Sequence, residues 1–97
     1  MNRTEILFTA EEYITKDRAA THGEAEDSFS TIAGVWQWWL SARPSGPLTA
    51  YDVAVMMGLF KIARMAGNPA HMDSPIDCAG YIAIAGEIGA KNSVGIA

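Results

Sequence analysis

The sequence predicts an all-α fold, an antiparallel four-helix bundle-like single domain. Three observations lead there. Apolar residues recur at the three-and-four spacing of helical faces. Segments rich in glycine, proline and serine cut the chain into four stretches of helical length. The chain has 97 residues, the length of one domain. The expected helices cover 4–20, 28–42, 50–66 and 75–89, with 90–97 as a tail.

In the first helix, Ile6, Leu7, Ala10, Tyr13 and Ile14 share one face, while Glu5, Glu11, Glu12, Lys16 and Arg18 supply a solvated surface. Thr21-His22-Gly23 ends it, with glycine where a left-handed residue costs least. The second helix starts near Asp27 or Ser28, both good N-cap types. Phe29, Ile32, Ala33, Trp36, Trp39 and Leu40 form its main apolar face, and Val35 and Trp38 form a second. No charged residue occurs from Ser28 to Ala42. A stretch this long without charge predicts a central helix or one covered in an oligomer, with Val35 and Trp38 at the interface.

Arg43-Pro44-Ser45-Gly46-Pro47 reads as a loop. Thr49 and Asp52 have the spacing of a capping box, which starts the third helix. Val53–Phe60 is an unbroken apolar run whose length favours a buried helix, with Val53 and Val55 leaving a strand as the alternative, and Gly67-Asn68-Pro69 stops it. Ser74-Pro75 with Asp77 reads as the start of the fourth helix, serine at the cap and proline at the first position. Its small residues, Ala79, Gly80, Ala83, Ala85 and Gly86, predict close backbone packing. The three tryptophans, Met56, Met57 and Met65 are expected mainly in the core, Trp38 excepted, with Cys78 a small buried filler.

Composition narrows the function classes. The apolar fraction of 49% excludes intrinsic disorder. Eleven acids against seven bases give a net charge of −4, the wrong sign for neutralising nucleic-acid phosphates, so no direct nucleic-acid binding is expected. One cysteine forms no internal disulfide and is compatible with a cytoplasmic setting. The acids near the N-terminus do not suit a secretory signal, and no apolar run spans a bilayer, so no membrane association is expected.

An up-down-up-down path places two connections at one end of the bundle. His22, Glu24, Glu26 and Asp27 gather there with Lys61, Arg64, His71, Asp73 and Asp77. The ligand-binding candidates are His22, Glu24, Asp27, Lys61, Arg64 and Asp77. Each also has a structural reading. Lys61, Arg64 and Asp77 suit an ion pair and favourable charge at a helix end, Glu24 and Asp27 suit a helix start, and His22 suits a terminal turn. No glycine-rich phosphate loop, Cys-x-x-Cys pair or His-Glu-x-x-His motif occurs, and no catalytic residue is assigned.

The stretch from Asp17 to Phe29 resembles the opening motif of a family of small phage and prophage proteins of uncharacterised function. The pieces Asp52–Met57, Lys61–Arg64 and Asp73–Tyr81 resemble that family too. A more distant likeness is to phage nucleotide-modification-associated domains and to MazG-like all-α nucleotide pyrophosphatases. Those enzymes hold magnesium against a triphosphate with helix-borne carboxylate pairs. Here Glu24-x-x-Asp27 supplies one such pair; a second is missing from helices two and three, where Asp52 stands alone.

The leading expectation is a phage or prophage accessory protein in the host cytoplasm, needing no cofactor. It would bind a host macromolecule non-catalytically, for example inhibiting a defence component, and form a homo-oligomer. The alternative is MazG-like nucleotide binding or magnesium-dependent hydrolysis, with Glu24, Asp27 and Asp77 on the metal and Lys61 and Arg64 on phosphate. A sponge for a nucleotide signal is the third reading.

Overall fold

The computed structural model describes residues 1–17 and 25–92. Helix α1 spans Arg3–Glu12, and a π-helical turn, Tyr13–Asp17, continues it. Helices α2 (Ala25–Ala42), α3 (Ala50–Gly67) and α4 (Asp73–Asn92) follow. The fold is all-α, with no strand among the described residues.

Local chemistry sets several boundaries. Asn2 Oδ1 accepts the Glu5 backbone N–H at 2.9 Å and caps α1. Thr49 and Asp52 form a complete capping box at α3: the Thr49 hydroxyl accepts from the Asp52 N–H at 3.2 Å, and Asp52 Oδ2 accepts from the Thr49 N–H at 2.9 Å. Before α3 the chain turns through Gly46, whose φ of +138° only glycine adopts without strain. Helix α4 starts at Asp73, so Ser74 lies inside its first turn, 1% exposed, with its backbone N–H on the His71 carbonyl at 3.3 Å. Helical geometry persists to Asn92, beyond the expected tail boundary.

α3 is central and antiparallel to both neighbours. Against α2, the Trp36 indole N–H donates to the Met56 carbonyl at 2.7 Å and the Trp39 indole to Asp52 Oδ1 at 3.0 Å, so numbers fall along α3 as they rise along α2. Against α4, Lys61 pairs with Asp77, Gly58 faces Ile82, and Tyr51 faces Gly89. Gly58 provides the closest approach: a Cβ there would lie 2.8 Å from the Ile82 δ-methyl.

Burial departs from the sequence-based expectations. The buried apolar residues among those described are Ile32, Ala54, Ala63 and Ala85. The apolar face of α1 has no cover, with Ile6 52%, Leu7 68% and Ile14 65% exposed and no buried residue in the helix. Val53 of the expected buried run is exposed, and Cys78 is half-buried. A radius of gyration of 16.4 Å exceeds the ~13 Å of a compact domain this long. The reason is structural: α1 stands off the row of three helices in which α3 lies between α2 and α4.

Of the small residues on α4, Ala85 is buried, while Ala79, Gly80, Ala83 and Gly86 are exposed. Cβ atoms added at Gly80 or Gly86 would meet nothing within 4 Å, so these glycines do not serve close packing. Alanine at either site should therefore stabilise the helix by ~0.5–1 kcal/mol, through propensity alone. Urea midpoints of Gly80→Ala, Gly86→Ala and the double variant test this; the effects should add, and a lowered midpoint would show a hidden packing role.

Candidate functional site

The structure gathers polar groups at both ends of the α2–α3–α4 unit. At the end expected to carry the chemistry, Lys61 of α3 reaches across to Asp77 of α4, Nζ to Oδ2 at 2.9 Å. Both belong to helices that α3–α4 packing already fixes. The lysine side chain is largely covered and the carboxylate half-exposed. One turn on, the Arg64 guanidinium lies 4.3 Å from the Phe60 ring centroid, and Lys61 Nζ lies 5.5 Å from it. The α3–α4 connection adds His71, whose Nε2 is 3.8 Å from Asp73 Oδ2 and whose Nδ1 is 3.5 Å from the Ser74 hydroxyl.

Of the six ligand-binding candidates, Lys61 and Asp77 therefore pair, and Arg64 shares the Phe60 ring with Lys61. Asp27 is exposed in the first turn of α2, and its backbone carbonyl accepts the Thr31 hydroxyl at 3.1 Å. His22 and Glu24 lie outside the described residues, and with Glu24 so does part of the expected metal set Glu24–Asp27–Asp77. No group of three or more His, Cys, Asp or Glu side chains that could hold a metal occurs among the described residues.

The denser polar network is at the other end, where the sequence shows mainly Arg43, Asp52 and prolines. Asp52 is 3% exposed. Its Oδ1 takes the Arg43 Nε at 2.7 Å and the Trp39 indole at 3.0 Å, and its Oδ2 takes the backbone N–H and hydroxyl of Thr49, both at 2.9 Å. Arg43 also donates from Nη1 to the Gly46 carbonyl and from Nη2 to the Pro47 carbonyl, each at 3.1 Å. Burial pushes the Asp52 carboxyl up. Hydrogen bonds from Thr49 and Trp39 and the charge of Arg43 outweigh it and hold the group below its ordinary value.

These residues border an open cleft of about 420 Å³, with Tyr51, Pro44 and Ser45 on its walls. With both carboxylate oxygens occupied, Asp52 is built as an anchor that ties the α2–α3 loop to two helices, not as a proton acceptor. The capping box is visible in sequence as Thr-x-x-Asp. The Arg43 and Trp39 contacts are not, because they depend on how the loop returns.

The two interface candidates are both on α2. Trp38 is 60% exposed, and its ring stands 6.4 Å from that of Trp39 at a tilt of 54°. Val35, one turn earlier, is half-buried. No helix of the described chain is long and apolar enough to cross a membrane.

Comparison with known proteins gives a family but no activity. The model of a domain of unknown function, DUF6378, matches residues 5–89. The Gene 55 protein of Mycobacterium phage L5 is 42% identical over 79 residues, covering 81% of this chain and 49% of that protein. The Gene 55 protein of Mycobacterium phage D29 is 36% identical over 76 residues, covering 78% of this chain and 48% of that protein. The chain thus spans about half the length of the curated relatives it matches. No solved structure matches.

Proposed function

Because the chain belongs to the family of the domain of unknown function DUF6378, whose curated relatives here are phage proteins, we propose that it is a phage accessory protein acting non-catalytically by binding a host macromolecule. The observation that carries this reading is Trp38. A large aromatic side chain stands 60% exposed in the middle of an 18-residue helix, within a charge-free stretch. Buried aromatic anchors dominate the energetics of protein interfaces, and an isolated surface gains nothing from such a residue. The net charge of −4 favours a partner with a basic surface, such as a component of host defence. The polar clusters support the same reading, since Asp52, Arg43, Lys61 and Asp77 are engaged in holding helices together.

Affinity capture from host cells with the wild-type chain and with Trp38→Ala tests it. The wild type should retain a specific partner. The variant should lose it by at least ~10-fold with an unchanged melting temperature, because the side chain is mostly in solvent. Capture indifferent to Trp38 would remove the assigned surface.

The Lys61–Asp77 pair, with Arg64 beside Lys61 on the Phe60 ring, favours a second reading, MazG-like binding of a nucleotide, with hydrolysis or simple sequestration as its outcome. Magnesium would then lie on Glu24, Asp27 and Asp77, and the two basic side chains on phosphate oxygens.

A further inference from the structure

The chain exposes 6927 Å² of surface. Scaling from a mass of 10.4 kDa gives a folded monomer only ~5,400 Å², leaving roughly 1,500 Å² in excess. A standard protein interface removes ~800 Å² from each partner, and obligate homodimers remove more. The excess is therefore the size of a dimer interface, and two features of the chain show where it lies.

The first is α1 with its π-helical continuation, on which Ile6, Leu7, Ala10, Tyr13 and Ile14 are all exposed. The second is an apolar groove of about 240 Å³ between α2 and α3, lined by Phe29, Ile32, Ala33, Trp36 and Phe60. Lys61 and Arg64 stand over the Phe60 ring at its edge, whereas Glu11 borders the stripe on α1. The helix and the groove are thus complementary in polarity and in charge, and one chain carries both.

We infer that two copies of this chain form a two-fold dimer in which α1 of each lies in the α2–α3 groove of the other. A reciprocal exchange buries the same helix–groove contact twice and closes the assembly, as two-fold symmetry requires. It puts Glu11 of one copy at the groove edge where Arg64 of its partner stands over Phe60, Lys61 being already paired with Asp77. At 100° per residue, Trp38 lies on the opposite side of α2 from the Phe29–Ile32–Ala33–Trp36 stripe, so the dimer leaves it outward. The inference is separate from the host-target reading, and its readout is mass and cross-linking, not target capture.

Light scattering coupled to gel filtration on the full chain should give twice the 10.4 kDa chain mass at micromolar concentration. Ile6→Glu with Ile14→Glu should give a monomer of unchanged helicity, since both side chains are mostly exposed within one chain. In a Cys78→Ser background, a mixture of chains carrying Ala10→Cys and chains carrying Ala33→Cys should form a disulfide between copies on mild oxidation. A single-chain mass for the wild type overturns the proposal. So does a dimer indifferent to the two glutamates, or one whose cross-links join Ala10→Cys to Ala10→Cys in preference to Ala33→Cys.

Discussion

Asp52→Ala should unfold the junction of α2 and α3 at a temperature more than ~10 °C below the wild type. The substitution deletes the acceptor for four donors at once: the Arg43 Nε, the Trp39 indole, and the Thr49 N–H and hydroxyl. Arg43 would then be a largely covered cation without its counter-charge, held only by the Gly46 and Pro47 carbonyls. Arg43→Met should cost less, because Asp52 keeps its capping box and the Trp39 bond. The same site sets an acid limit. With its folded pKa below the ordinary 3.8, Asp52 contributes stability that is fully present above that value and is lost as pH falls through the lower folded value. Asp52→Asn removes this dependence, so its melting temperature should fall less steeply than the wild type's in the acid range. Thermal melts by circular dichroism across that range check both statements.

Ile32→Ala should cost about 2–5 kcal/mol, a large share of the 5–15 kcal/mol that holds a typical domain together. Ile32 is the one large apolar side chain buried among the described residues; the others are the alanines 54, 63 and 85. Its loss enlarges the groove on the α2–α3 seam that Ile32 lines with Phe29, Ala33, Trp36 and Phe60. Ile32→Val removes a single methylene and should cost ~1 kcal/mol. Urea denaturation of both variants gives the two numbers on one scale. Equal and small effects would show that the α2–α3 seam is not where the folding energy resides.

The helical class and the antiparallel order of α2, α3 and α4 were legible in sequence because they follow from periodicity and punctuation. The three-and-four spacing of Phe29, Ile32, Ala33 and Trp36 marks a helix face whatever covers it. Thr49 and Asp52 mark a helix start by local hydrogen bonding alone. Which faces are covered is a tertiary property, and there sequence reasoning went astray. Gly80 and Gly86 suggested close approach on α4, whereas the close approach is made by Gly58 of α3, a glycine hidden in an apolar run. Apolar spacing on α1 suggested burial, yet spacing does not say whether the cover comes from the same chain. At the candidate site, the Lys61–Asp77 pair follows from antiparallel helices of known register. The Arg43–Asp52–Trp39 cluster depends on the path of the loop through Gly46, which no local pattern encodes.

The central claim is that this protein works by binding a macromolecule and performs no nucleotide chemistry. The most direct test is thermal stability against a panel of nucleoside mono-, di- and triphosphates with and without magnesium, with phosphate release followed in parallel. Non-catalytic binding of a macromolecule predicts no shift and no turnover for any member of the panel. A magnesium-dependent rise in melting temperature or release of pyrophosphate, lost in Asp77→Asn, would contradict it and place function at the Lys61–Arg64–Asp77 end.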